Sequence, residues 1–278
     1  MSAHRSPHGP TALPALRVAA RVAVFQARNV VRSRWLLAYA ALFAVATDAL
    51  LRFGGDDGRA LLSLVNVVLF VVPLVALVFG ATYLYDAREF TEVLLAQPVG
   101  RTPLYAGLLV GLAAPLALAF AVGVTVPFAL HGVGGHASAV TLSALVGCGV
   151  ALTLTFVALA FFVAARTDDK VRGLGLAVAM WLAFGLVYDG AVFVAVATFA
   201  DYPVERPLLG AMLVNPIDLA RVLLLLRFDN AALLGYTGAV FSRFFGGATG
   251  PWLAAVAMLA WIAAPVAAGV RAFRRKDF

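Results

Sequence analysis

The side chains that could do chemistry in this 278-residue sequence fall into a few groups with helical spacing. Arg17, Arg21, Arg28 and Arg32, placed at 100° per residue, share an arc of roughly 60°. Such a guanidinium stripe holds lipid phosphates or protein carboxylates. Much of the opposite side carries Leu16, Ala19, Val22, Ala23 and Val30, so the segment predicts an interfacial helix with its apolar side chains toward acyl chains. A second group is Asp86, Arg88, Glu89, Thr91 and Glu92, followed by Leu94, Leu95 and Gln97. Asp86 and Glu89 have capping-box spacing, and Pro98 disfavours helical geometry at Gln97. A short amphipathic helix is expected over about 86–97, with acids on one side and leucines on another. In Asn215-Pro216-Ile217-Asp218-Leu219-Ala220-Arg221, Asn-Pro stops one element and Asp218 suits the start of the next. Asp218 and Arg221, at i and i+3, can pair. Asp48 and Asp189 stand inside apolar runs, where a carboxylate must find a partner or water. Function and a structural hydrogen bond are both open for Asp189.

Other chemistry has no residues to carry it. There is no G-x-x-x-x-G-K-[ST], so the chain cannot cradle a nucleotide by itself. The histidines are His4, His8, His131 and His136, and they offer neither H-E-x-x-H nor a Ser-His-Asp set. His131 and His136 flank a glycine-rich turn, an arrangement more often solvated than metal-bound. Cys148 is alone, and the four methionines are scattered, so soft copper(I) ligands are missing. No catalytic residue, metal site or cofactor is expected in this chain.

The elements that must position these groups follow from composition. Apolar residues make up 63% of the chain and charged residues 13%, with a mean hydropathy of +0.96. A soluble domain carries about 25% charged residues, so this surface faces lipid. Six runs approach or exceed the length needed to cross a hydrocarbon layer: about 35–51, 60–84, 104–130, 138–165, 174–199 and 251–270. They lack period-two alternation and predict helices. Pro73, Pro115, Pro127 and Pro265 fall inside them and are tolerated because neighbouring helices re-satisfy freed carbonyls. Fifteen of the 21 basic residues lie in the terminal segments and the second and fourth loops, which places both termini in the cytoplasm. The net charge of +7 therefore reflects topology and gives no reason to expect nucleic acid.

The expected organisation is all-α. Residues 1–34 form a cytoplasmic N-terminus with the interfacial helix. Residues 35–271 form a six-helix transmembrane domain with an outer segment over about 200–250. Residues 272–278 form a basic tail. A cleaved signal peptide is disfavoured by the long charged region ahead of the first span. The outer segment reads as one or two helices at the interface or packed against the bundle.

Together these pieces resemble an ABC-2-type permease, the membrane subunit of an ATP-binding-cassette exporter of the type V-like fold. The resemblance rests on the N-terminal helix, six spans and the loop Glu89, Thr91, Glu92, Leu94, Leu95, Gln97, Pro98, Val99, Arg101 and Leu104. Phe90 stands where the family usually has Gly. The resemblance implies that 86–97 is a coupling helix docking into a separate cytoplasmic ATPase, which binds ATP and Mg. Val187-Tyr188-Asp189, the 215–221 motif and the stretch 235–241 are similar to the permeases that serve nitrous oxide reductase maturation, a copper-processing system. That likeness implies a bacterial inner-membrane protein in two copies with two ATPases. It also implies a periplasmic accessory protein, with a copper chaperone and the reductase as further partners, and Asn215, Asp218 and Arg221 as contacts on that side. Without soft ligands in the spans, the chain is expected to transmit movement rather than pass copper. The alternatives are an exporter of a lipid or hydrophobic small molecule, and an anchor with no ATPase.

Overall fold

A computed structural model of the chain describes residues 12–54, 57–97, 99–131, 136–199, 205–225 and 249–276. The expected stretch 235–241 and the glycine turn 132–135 lie outside these residues. So do Pro98 and the last two residues of the tail. The described residues are helical, with short connections. In order they form α1 (Ala12–Val31), α2 (Arg34–Phe53), α3 (Asp57–Asp86), α4 (Arg88–Leu95), α5 (Arg101–Leu130), α6 (His136–Arg166) and α7 (Lys170–Leu182). One π-helical turn, Ala183–Val187, joins α7 to α8 (Tyr188–Thr198). Then come α9 (Glu205–Val214), α10 (Pro216–Leu225) and α11 (Thr249–Arg275).

Six of these units are long and apolar enough to cross a membrane: α2, α3, α5, α6, the continuous 170–198 unit and α11. All four prolines sit inside continuous helices. Six crossings bring both ends of the bundle to one side, here the terminal face; the opposite side is the far face.

Apolar runs without a polar stripe bury themselves on all sides. Accordingly α5 and α6 form the centre, with over half of their most apolar stretches buried. A ladder of rings crosses them: Tyr39 on Phe43, Phe43 on Phe120, and Phe161 between Tyr83 and Tyr105. Only 6% of the 170–198 stretch is buried, so this span is peripheral within one chain.

Helix α1 does not lie free on the membrane surface. A side-chain carbon on Gly107 would come within 2.7 Å of Val22 Cβ and 2.8 Å of the Ala19 carbonyl; on Gly111 it would come within 2.7 Å of Gln26 Cβ. These two glycines of α5 are the seat for α1, in the way small residues let membrane helices approach. This corrects the expectation that α1 turns its apolar side toward acyl chains. Val22 is buried and Ala19, Ala23 and Val30 are half-buried, whereas Leu16, Ala20, Val24 and Val31 are exposed. The helix thus has three sectors: one on α5, one apolar and open, and one carrying the exposed Arg17, Arg21, Arg28 and Arg32.

Candidate functional site

Two polar assemblies stand out, one on the terminal face and one within the bundle. On the terminal face, α4 spans 88–95, inside the expected 86–97. Its start differs from the expected capping box. Ala87 is the N-cap and makes no side-chain cap bond, and Asp86 instead accepts from Lys170 at 2.6 Å. Arg88 donates to Asp168 at 3.1 Å and reaches Glu92 at 4.0 Å. Thr91 is buried and donates to the Ala87 carbonyl, a bond that a threonine can make back along its own helix. Leu94 and Leu95 pack partly against the core. Glu89, Glu92, Val93, Ala96 and Gln97 remain exposed.

The rest of that face is tied to α4 through groups far apart in sequence. Tyr85 donates to the Thr167 carbonyl at 3.2 Å. Lys276 donates to Asp168 at 3.1 Å and to the carbonyls of Ala164 and Thr167. Arg101 donates to the carbonyls of Arg274 and Lys276, both at 2.8 Å. The Lys276 hydrogen bond, helped by the Lys276 and Arg88 charges, holds the Asp168 carboxyl below its usual range. Phe90 stacks on Phe25 of α1, with ring centroids 5.8 Å apart and planes 13° off parallel. The residue that departs from the family pattern is therefore what joins α4 to α1. Lys170, Asp168, Lys276, Phe25 and Phe90 were not among the expected site residues; separations above 60 residues left no local signal for these contacts.

The second assembly joins the π-turn to α10. Asn215 caps α10: its side-chain oxygen accepts from Ile217 N at 3.0 Å, and Pro216 occupies the first helical position, where no N–H is required. The Asn215 amide donates to the Phe184 carbonyl at 2.8 Å and to Asp218 at 3.1 Å. Phe184 lies in the π-turn, where helical register slips and a carbonyl needs another donor. Arg221 then forks, one nitrogen 2.7 Å from Asp218 and the other 3.0 Å from Asp189. Tyr188 donates to the Ala211 carbonyl. Trp261 donates to the Leu213 carbonyl at 3.0 Å.

This geometry answers the question about Asp189: its partner is Arg221. It also corrects the expectation that Asn215 and Asp218 contact a partner protein. Both are buried and bonded within the chain; only Arg221 of the three keeps about a third of its side chain exposed. Helix α10 packs into the bundle through Ile217, Leu219, Ala220 and Leu224, the packed form of the two expected for the outer segment. Asp48 is bound differently, 2.8 Å from Arg52 and 3.5 Å from His131 near the far end of α2. No group of three or more His, Cys, Asp or Glu side chains able to hold a metal occurs among the described residues.

Burial is the main cause raising the Asp218 pKa, to about 6; the Asp189 charge adds to it while Arg221 and Asn215 oppose it. An acid whose folded pKa exceeds its unfolded value holds its proton more tightly when folded. Asp218 therefore subtracts stability progressively as pH rises from about 4 to about 6. Asp218→Asn should flatten that slope: its unfolding midpoint relative to wild type should improve between pH 4 and pH 7. A pH-independent difference in thermal unfolding would contradict this.

The ABC-2 family transporter protein pattern matches residues 21–278. The probable ABC transporter permease protein NosY of Pseudomonas aeruginosa is 30% identical over 271 residues, covering 88% of this chain and 94% of that protein. The probable ABC transporter permease protein NosY of Stutzerimonas stutzeri is 28% identical over 265 residues, with the same coverage. With six membrane-length helices and a pattern match over nearly its whole length, the chain belongs to the ABC-2 family of transporter permeases and is NosY-like within it.

Proposed function

We propose that the chain is the non-catalytic membrane subunit of a bacterial inner-membrane ABC complex, with its terminal face in the cytoplasm. A separate ATPase, in two copies, docks on α4, and the assembly serves copper-site maturation of nitrous oxide reductase on the periplasmic side. The observation that carries this reading is the construction of α4. Its outward stripe, Glu89 and Glu92, is acidic and exposed, while its other sides are tied to α1, to the 166–170 loop and, through Asp168, to the end of α11. A displacement delivered at Glu89 and Glu92 would therefore reach α1, the 166–170 loop and, through Asp168 and Lys276, the end of α11. A second copy of the chain is supported by the 170–198 span, most of whose residues one copy leaves exposed.

The test is charge reversal. Glu89→Arg with Glu92→Arg should abolish permease-dependent stimulation of the ATPase, at least about tenfold, with membrane insertion unchanged. Stimulation at the wild-type level would show that α4 is not the dock. Copper translocation into liposomes driven by ATP would sink the reading in which movement, not copper, crosses this chain.

A specific cavity favours a second reading, export of a lipid or hydrophobic molecule. A space of about 540 Å³ opens at the elbow of α1 and α2 against α3, lined by Asn29, Trp35, Phe79, Thr82 and Tyr83 among others. A hydrophobic compound co-purifying at one per chain and released on ATP hydrolysis would favour export over maturation.

A further inference from the structure

An open groove of about 690 Å³ runs between the ends of α6 and α11 on the terminal face. This volume falls within the range of about 300–1,000 Å³ typical of small-molecule sites. Phe162, Ala165, Ala268 and Ala272 give it an apolar wall at helix level; Arg166, Arg271, Arg275 and Lys276 give it a basic mouth. Its one acid, Asp168, is already held by Lys276 and Arg88, each at 3.1 Å. Among the described residues no carboxylate lies in ion-pair range of Arg166, Arg271 or Arg275, and Arg166 is held over the Phe162 ring, 5.0 Å from its centroid. Three guanidinium groups thus line a space in which no described carboxylate pairs with them.

We propose that this groove binds an anionic phospholipid, its phosphate among Arg166, Arg271 and Arg275 and an acyl chain along the Phe162–Ala268 wall. Guanidinium forks match phosphate oxygens, and basic pockets between membrane helices take acidic lipid headgroups. Two features favour lipid over an acidic protein surface. The apolar wall offers a carboxylate nothing, and the volume exceeds what one carboxylate or bare phosphate fills. The neighbouring α4 presents Glu89 and Glu92, so a partner matched to α4 is basic and is not what a basic groove attracts. Through Lys276 the bound lipid would adjoin Asp168 and hence Arg88 of α4. Binding itself does not depend on the proposed orientation; only the leaflet that supplies the lipid does.

Native mass spectrometry of the detergent-solubilised full chain, titrated with phosphatidylglycerol, phosphatidylethanolamine or inorganic phosphate, tests this. Phosphatidylglycerol should fill one site per chain at concentrations where phosphatidylethanolamine does not. Arg271→Gln with Arg275→Gln should weaken it about tenfold or more, as expected from roughly 1 kcal/mol per basic side chain at a membrane surface. Arg271→Lys with Arg275→Lys should keep most of the affinity, and Arg28→Gln with Arg32→Gln on α1 should leave it unchanged. Should the double glutamine variant not fold, Arg166→Gln carries the same expectation. The proposal fails if the α1 pair weakens binding equally, or if phosphatidylethanolamine binds as well. It also fails if millimolar inorganic phosphate displaces the lipid, or if saturating ATPase subunit does so. Because no nucleotide or ATPase is needed for the binding arms, their failure is separable from failure of the docking reading.

Discussion

Arg221→Leu is expected to lower the apparent unfolding midpoint of the detergent-purified chain by roughly 5–10 °C, corresponding to about 2–4 kcal/mol. The substitution leaves the Asp189 and Asp218 carboxylates without the cation that lies 3.0 and 2.7 Å from them. Asp218 is 6% exposed and cannot recover its lost bond from bulk water. Removing one member of such a set costs more than the set contributes, because the carboxylates left behind are desolvated without their cation or must take up a proton. The partial exposure of Arg221 and Asp189 keeps the estimate at the low end. Adding Asp189→Asn and Asp218→Asn to Arg221→Leu should recover part of the loss, a non-additivity that a simple packing defect would not give. Arg221→Lys should recover less, since an ammonium lacks the rigid fork that reaches both carboxylates. A midpoint for Arg221→Leu within a degree of wild type would remove the cluster from any structural role.

The cluster explains how α10 is held. A short helix with polar groups at its start would ordinarily lie in water. Here the Asn215 side chain satisfies the α10 N-terminus and the π-turn carbonyl together. The apolar Ile217, Leu219 and Leu224 can then enter the bundle without leaving those groups unbonded. The 170–198 span is in this way joined to α10 through hydrogen bonds as well as apolar contact.

What could be read from the sequence divides along the same physical line. The six spans were legible because twenty apolar residues in a row admit few structures, and each observed span falls within a few residues of its expected limits. The Asp218–Arg221 pair was legible because i and i+3 are neighbours on any helix. The Asp189–Arg221 pair spans 32 residues, and Lys276–Asp168 more than a hundred, so no periodicity could announce them. The failed capping box has the same origin: Asp86 had a better acceptor role toward Lys170, 84 residues away, than toward its own helix start. Likewise the arginine arc of α1 was legible, yet whether its apolar side met lipid or protein depended on two glycines about ninety residues downstream.

Those glycines set the second large effect. Gly107→Ile should detach α1 from α5, with the midpoint falling by about 5 °C or more and trypsin cutting faster at Arg17, Arg21 and Arg28 once the released helix can unwind. A β-branched side chain at Gly107 begins with a carbon 2.7 Å from Val22 Cβ and 2.8 Å from a main-chain oxygen, and the oxygen cannot rotate away. Overpacking in a well-filled interior costs typically about 1–3 kcal/mol, and here the cheaper relief is for a terminal helix to leave its seat. Gly111→Ala should act in the same direction but less strongly, because it adds a single carbon; its nearest obstacle is Gln26 Cβ at 2.7 Å, which is fixed to the main chain, with the Ala23 carbonyl oxygen at 3.2 Å. Gly175→Ala in α7 is the matched control: nothing lies within 4 Å of a carbon added there, and alanine favours helix, so it should be neutral or slightly stabilising. The consequence extends beyond stability. Because Phe25 of α1 stacks on Phe90 of α4, a detached α1 removes one of the three connections through which α4 is braced. Gly107→Ile should therefore also reduce ATPase stimulation although it lies on another helix from the proposed dock, whereas Gly175→Ala should not. Stimulation intact in a chain whose α1 is demonstrably released would mean that the α4 signal travels through Asp168 and Lys276 alone.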